Sequence, residues 1–228
     1  LQAIGLATTY PAEAGLSRQK FHAMVFEDRY DAASRLIPLL STYKDDAGVI
    51  LAVPRGGVPI GYHIAKAYQF PLELLLTKKI GHPSNPELAI GAVSLENEVL
   101  DDRFDIADTY IEAQILKIRQ SLRERYKKFM GDRQPLDLKG KTVIIVDDGI
   151  ATGNTILASI KMIRTKKPLK IVVAVPVAPA RTAKKIRELV DDFICIHTPE
   201  QFYGVGEFYH DFSQVSDEEV MALMKDEG

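Results

Sequence analysis

The 228-residue sequence holds a single cysteine, so no intrachain disulfide can form. That thiol, Cys195, sits in the apolar run 193–196 and reads as a buried, inert side chain rather than a nucleophile. No run is long and apolar enough to cross a bilayer as a helix. No basic flank followed by an apolar core marks a secretory signal. A large excess of either charge is also missing. The formal net charge is −2 and the pI about 6.3, which does not describe a polycation built for nucleic acid. The five histidines (22, 63, 82, 197 and 210) show no metal-ligand spacing. Neither a Walker A loop nor a GxGxxG turn is present. Together these absences lead us to expect a reducing, cytoplasmic compartment with no membrane involved, and they weigh against nucleic acid as a partner.

What is present is ordinary for a globular α/β chain: 46% hydrophobic and 26% charged residues. Residues 1–20 read as a loose arm, and residues 21–228 as one domain. Apolar, β-branched runs at 48–53, 72–77, 142–146, 170–175 and 192–197 predict strands buried on both faces. Helical spacing falls between them, at 28–40, 58–68, 108–130, 155–165 and 180–190. Ser216 and Glu219 form a capping-box pattern that opens a last short helix. Residues 78–103 read as a Gly/Pro/Asn-rich loop with one short apolar piece. The alternation predicts a Rossmann-like, mostly parallel sheet with helices on both faces. Ligands in such sheets sit beyond the carboxyl ends of the strands.

The strongest signal stands at such an end, in VIIVDDGIATGNT, residues 143–155. Four apolar residues run into adjacent acids, Asp147 and Asp148. Gly149 and Ile150 carry the turn, and Ala151, Thr152, Gly153, Asn154 and Thr155 lead into a helix. Free amides at a helix start favour a phosphate, and the two hydroxyls add donors. The acids are acceptors that a phosphate lying against them would repel. A molecule with a phosphate at one end and a diol a few ångströms away satisfies both halves, and ribose 5-phosphate is one.

This stretch resembles the signature of type I phosphoribosyltransferases, which bind 5-phosphoribosyl-1-pyrophosphate (PRPP). The wider chain resembles the predicted phosphoribosyltransferase group within that superfamily. The shared pieces are FEDRYDAA (26–33), PRGGVPIG (54–61), KKIGHPSNPELAIGA (78–92), the signature loop, AVPVAP (174–179) and VGEFYHDFSQVSDEEV (205–220). The resemblance implies the type I fold with a small C-terminal hood at about 199–215. It implies transfer of the phosphoribosyl group to a nitrogenous acceptor with release of pyrophosphate. Asp147 and Asp148 would meet the ribose hydroxyls, and residues 149–155 would hold the ribose and 5-phosphate. Mg²⁺ would arrive with PRPP, near the two acids but without direct protein ligands. A homodimer is the common assembly of such proteins.

Further candidates follow the other strands. Pro54-Arg55-Gly56-Gly57 opens a helix, with two glycines that let amides face an anion and Arg55 as a charged fork. The resemblance makes it the pyrophosphate loop, a place where a cis peptide outside proline often occurs. Lys78 and Lys79 follow the second strand. Lys79 is the candidate cation of a closing loop, with solvated strand-end lysines as the plain alternative. Glu87 reads as an exposed ion-pair partner. Tyr203, Phe208, Tyr209 and Asp211 would stack on and accept from the acceptor base, and a small satellite core is the plain alternative. Ala151 stands where the hypoxanthine–guanine branch has an aspartate, which argues against 6-oxopurine specificity. Two rival classes share the fold: a nucleotide or RNA sensor, and a PRPP hydrolase.

Overall fold

The computed structural model describes residues 26–101 and 103–226. The arm read at 1–20 lies outside the described residues. Helix α1 (Arg29–Leu36) starts at Asp28, whose carboxylate caps the amide of Asp31. Strand β1 (Gly48–Ala52), helix α2 (Gly57–Tyr68) and strand β2 (Leu72–Leu74) follow. Next come three strands, β3 (Lys78–His82), β4 (Asn85–Val93) and β5 (Glu98–Leu100), and the long helix α3 (Asp108–Met130). The second half alternates β6 (Thr142–Val146), α4 (Asn154–Thr165), β7 (Lys170–Val177), α5 (Ala180–Arg187) and β8 (Asp192–His197). A short 3₁₀ turn, Val205–Phe208, precedes the last helix, α6 (Asp217–Asp226).

The main sheet has the order β2-β1-β6-β7-β8, every pair parallel, with β6 at its centre. Successive residues of one strand enter two different cores, which is why the strands read as unbroken apolar runs. Ile50, Ile144 and Val172 face α1, α2, α3 and α6. Val49, Val143, Ile145 and Val173 face α4 and α5. The expected mostly parallel sheet, with helices on both faces, is the one observed. Among the described residues, no helix is long and apolar enough to cross a membrane.

Residues 78–100 differ from the loop expected over 78–103. They form a second, antiparallel sheet, β3-β4-β5. Its composition hid it, because β4 is exposed over its first five residues and lacks a buried alternating face. The glycine that reads as a breaker is required by the strand pairing. A Cβ at Gly81 would lie 2.6 Å from the carbonyl oxygen of Pro86, at the point where the register shifts.

The hood segment is stitched to the start of the described chain. Phe26 N–H donates to Phe208 O at 2.7 Å, His210 N–H to Phe26 O at 2.8 Å, and Asp211 N–H to Glu27 O at 2.8 Å. The Ser216 hydroxyl accepts from the Glu219 amide at 3.1 Å and starts α6 as its sequence predicts. Ile144 is fully buried in the central strand. Ile144→Ala therefore costs about 2–5 kcal/mol of unfolding free energy, read as a lowered denaturant midpoint at unchanged slope.

Candidate functional site

Asp147 and Asp148 stand just beyond the carboxyl end of β6, the central strand. The chain then turns inward once. Ile150 is buried and its amide donates to Val177 O at 2.9 Å. A Cβ at Gly149 would meet Val205 at 2.5 Å, so the hood closes directly over the turn. From there the chain surfaces. Ala151, Thr152, Asn154 and Thr155 are exposed, and Gly153 adopts φ 76° just before α4 begins. The Thr182 hydroxyl donates to Ala151 O at 2.9 Å and holds the loop from below. Among the described residues, the amides of Ala151, Thr152 and Gly153 donate to no backbone carbonyl. The result is a solvent-open cradle of amides at a helix start, suited to a phosphate.

The acid pair is built from three directions. Arg29, in the first turn of α1, forks onto one oxygen of Asp148, with Nε at 2.9 Å and Nη2 at 2.8 Å from Oδ2. Its Nη1 donates to Ser213 O at 2.8 Å, and its guanidinium lies 4.2 Å from the ring centre of Phe212. The Tyr209 hydroxyl donates to the Asp148 main-chain oxygen at 2.6 Å. The Asp148 amide donates to Asp147 Oδ1 at 2.9 Å. A Cβ at Gly56 would fall 1.9 Å from Asp148 Oδ2, so only glycine lets the Pro54–Gly57 turn approach this carboxylate. Burial, and then the charge of Asp148, hold the Asp147 carboxyl well above its usual range. Burial also raises Asp148, against the opposing pull of Arg29.

The remaining candidates divide. The Pro54–Arg55 peptide is cis, and the turn lies beside the acid pair. Arg55 itself points to α6, where its Nη1 stands 3.3 Å from Asp217 Oδ1. Lys128 Nζ meets the other oxygen of Asp217 at 2.6 Å. Gly57 packs close to the end of β6, where a Cβ would lie 2.7 Å from Val146 O. Lys78 is exposed. Lys79 pairs across the small sheet with Glu87 at 2.9 Å, the partner role expected of Glu87. Tyr203 is 83% exposed and Asp211 is exposed, so both are available to a ligand.

Phe208 and Tyr209 correct the expectation that they stack on an acceptor. Their rings are covered, at 3% and 6% exposure. Phe208 stacks on Phe202, and Tyr209 packs between Phe26 and Phe212. Each is held on its faces by other aromatics, and the Tyr209 hydroxyl is spent on Asp148. Cys195 is half-buried, less covered than expected; burial still pushes its thiol up to about 11, and its Sγ lies 3.2 Å from His197 O.

Arg29 is the site residue that sequence reasoning missed. It lies in FEDRYDAA, a stretch quoted as a block with no role given to its arginine. Nothing local marks it, since its partner lies 119 residues away. A charged residue on the first turn of an amphipathic helix looks like a solvated one.

Comparison with known proteins bears on these residues. The family model described as a phosphoribosyl transferase domain matches residues 30–213. The "Putative phosphoribosyl transferase Rv0571c" of Mycobacterium tuberculosis is 36% identical over 206 residues, which cover 88% of this chain and 46% of the relative. The chain thus spans about half the length of the curated relatives it matches. The crystal structure of TT1426 from Thermus thermophilus superposes with a TM-score of 0.82 at 34% identity, covering 89% of this chain and 99% of that one. A hypothetical protein from Neisseria gonorrhoeae, solved with bound ppGpp, shares the fold alone, with a TM-score of 0.51 at 13% identity, covering 90% and 97%.

The raised Asp147 makes a stability prediction. Its ionisation cost is absent below the ordinary value of 3.8 and fully present above the raised folded value, so it weighs on the native state at neutral pH. Asp147→Asn keeps an acceptor for the Asp148 amide and removes the charge. It raises the stability of the ligand-free protein at pH 7 by on the order of 1 kcal/mol. The gain shrinks as pH falls toward 4. Thermal melts of both proteins across that range check it, and a pH-independent difference contradicts it.

Proposed function

The chain belongs to the phosphoribosyl transferase domain family, and from that premise we propose that it moves the 5-phosphoribosyl group of PRPP onto a nitrogenous acceptor and releases pyrophosphate. One observation carries the reading. An acid pair follows the central strand, and the amides of residues 151–153, bonded to no backbone carbonyl among the described residues, come next at the start of α4, with Ala151 and Thr152 exposed. The spacing suits a sugar phosphate whose diol meets the acids while its phosphate meets the amides.

In the reaction, the acceptor nitrogen forms a bond to C1 of the ribose as the bond from C1 to pyrophosphate breaks. The electron pair of that bond leaves with pyrophosphate, and the acceptor gives its proton to solvent or to the leaving anion. Positive charge develops on the ring, and the adjacent Asp147 and Asp148 stabilise it while holding the hydroxyls. The turn at Arg55, Gly56 and Gly57 lies beside Asp148 and offers the Arg55 and Gly56 amides to the pyrophosphate end, while the Gly57 amide is held by Val53 O at 2.9 Å. Lys78 and Lys79 enter from β3, Lys79 once it leaves Glu87. No covalent intermediate on the protein is needed, and positioning carries much of the rate.

Mg²⁺ fits this site as a companion of the substrate. Two adjacent carboxylates are present, and among the described residues no cluster of three acids, histidines or cysteines accompanies them. That set suits an ion carried on PRPP oxygens, where it would supply charge neutralisation to the leaving pyrophosphate. Exposed Tyr203 and Asp211 would meet the acceptor.

The test is pyrophosphate release from PRPP with Mg²⁺, run with and without a panel of nucleobases. Release that depends on one base supports the reading and names the acceptor. Release without any base identifies a hydrolase, and binding without release identifies a sensor. The double substitution Asp147→Asn/Asp148→Asn abolishes PRPP binding in calorimetry with circular dichroism unchanged; retained affinity removes the ribose assignment. Arg55, once it leaves Asp217, would meet the pyrophosphate end, so Arg55→Ala weakens pyrophosphate severalfold more than ribose 5-phosphate, and equal losses contradict that place.

A further inference from the structure

Arg29 joins two parts of the molecule that the proposed reaction needs together. It belongs to neither the signature loop nor the hood, yet it contacts both. Two of its nitrogens are spent on one oxygen of Asp148, a third holds the main chain of the hood at Ser213, and its flat face rests on Phe212. Only 9% of its surface is exposed. Burying a guanidinium to this degree is costly without full pairing, and here all three nitrogens have partners. A surface ion pair would do little, but a two-pronged fork inside the protein fixes both charge and rotamer.

The fork also makes the two acids unequal. Asp148 Oδ2 is pinned between Arg29 and Gly56, so Asp148 has one oxygen left for a ligand. Asp147 has no ion-pair partner among the described residues; it accepts from the Asp148 amide and its carboxyl lies against that of Asp148. We propose that Arg29 is a positioning residue for the donor site: it fixes Asp148 and partly offsets its charge, easing the repulsion under which the neighbouring Asp147 presents its carboxylate to the ribose diol, and it locks the hood to that arrangement. This rests on the donor-site reading above and refines it. The hood and the ribose site are then one unit, and loosening the hood contact under Arg29 loosens the sugar site with it.

Three variants and two ligands test it, on the full chain, by calorimetry with ribose 5-phosphate and with inorganic pyrophosphate. Arg29→Ala lowers ribose 5-phosphate affinity about tenfold or more and leaves pyrophosphate affinity within about twofold. Arg29→Lys keeps the charge without the fork and recovers part of the loss. Phe212, at 36% exposure, lies at the edge of the core, so Phe212→Leu keeps the test open if Arg29→Ala does not fold. It weakens ribose 5-phosphate about threefold and spares pyrophosphate. Equal losses for the two ligands, no loss with Arg29→Ala, or no loss with Phe212→Leu where Arg29→Ala fails to fold, overturns the proposal. A wild-type protein that binds neither ligand overturns the donor-site reading instead, which keeps the two failures apart.

Discussion

Two carboxylates placed side by side at the end of a buried central strand repel each other and are starved of water. Most of what is unusual in this molecule answers that constraint. Arg29 reaches in from α1 to offset Asp148. The Asp148 amide turns back to Asp147, and Tyr209 ties down the Asp148 carbonyl. Gly56 gives up its side chain so that the neighbouring turn can close on the same carboxylate. Four separate chain segments thus meet at one acid pair. A packed core would never assemble such a cluster for stability alone, because replacing the acids with apolar residues would remove the need for every one of these contacts.

The sheet and its helices were legible because their signals are local. β6 and β8 fall on the predicted ranges, and α3 matches over its whole length. The acid pair and the amide cradle were legible for the same reason, since strand, acids, turn and helix start are contiguous from 143 to 155. What failed was non-local. The antiparallel sheet at 78–100 has an exposed leading edge and carries its glycine at a bulge, so neither alternation nor turn chemistry announced it. Arg29 and Tyr209 were missed as supports of Asp148 because their partner lies 119 and 61 residues away in sequence. Arg55 sits in the turn its sequence predicts, while its partner, Asp217, comes from the last helix.

The hood shows how the same residues serve a different end from the one their composition suggests. An aromatic, glycine-rich segment after the last strand looks like a stacking surface for a flat ligand. In the fold, Phe202, Phe208, Tyr209 and Phe26 pack on one another and anchor the segment to the residues ahead of α1. The rings therefore contribute rigidity to the hood, and through Tyr209 to Asp148, rather than a binding face.

Within the proposed reaction, acceptor recognition then falls to what the hood leaves uncovered. Tyr203 stands almost free, Asp211 is exposed with its carboxylate turned to the Ser213 amide, and Gly204 and Gly206 leave main chain accessible between them. These groups lie on a loop held at both ends by core aromatics, an arrangement in which side chains can change without disturbing the sugar site. The signature loop has the opposite character. Gly149 is closed in by Val205 and Val177, and Gly153 by Thr182, so substitutions there are refused by packing before any ligand is considered. Within the proposed reaction, donor chemistry is therefore fixed by the interior of the fold, while acceptor choice is left to an exposed segment at its edge.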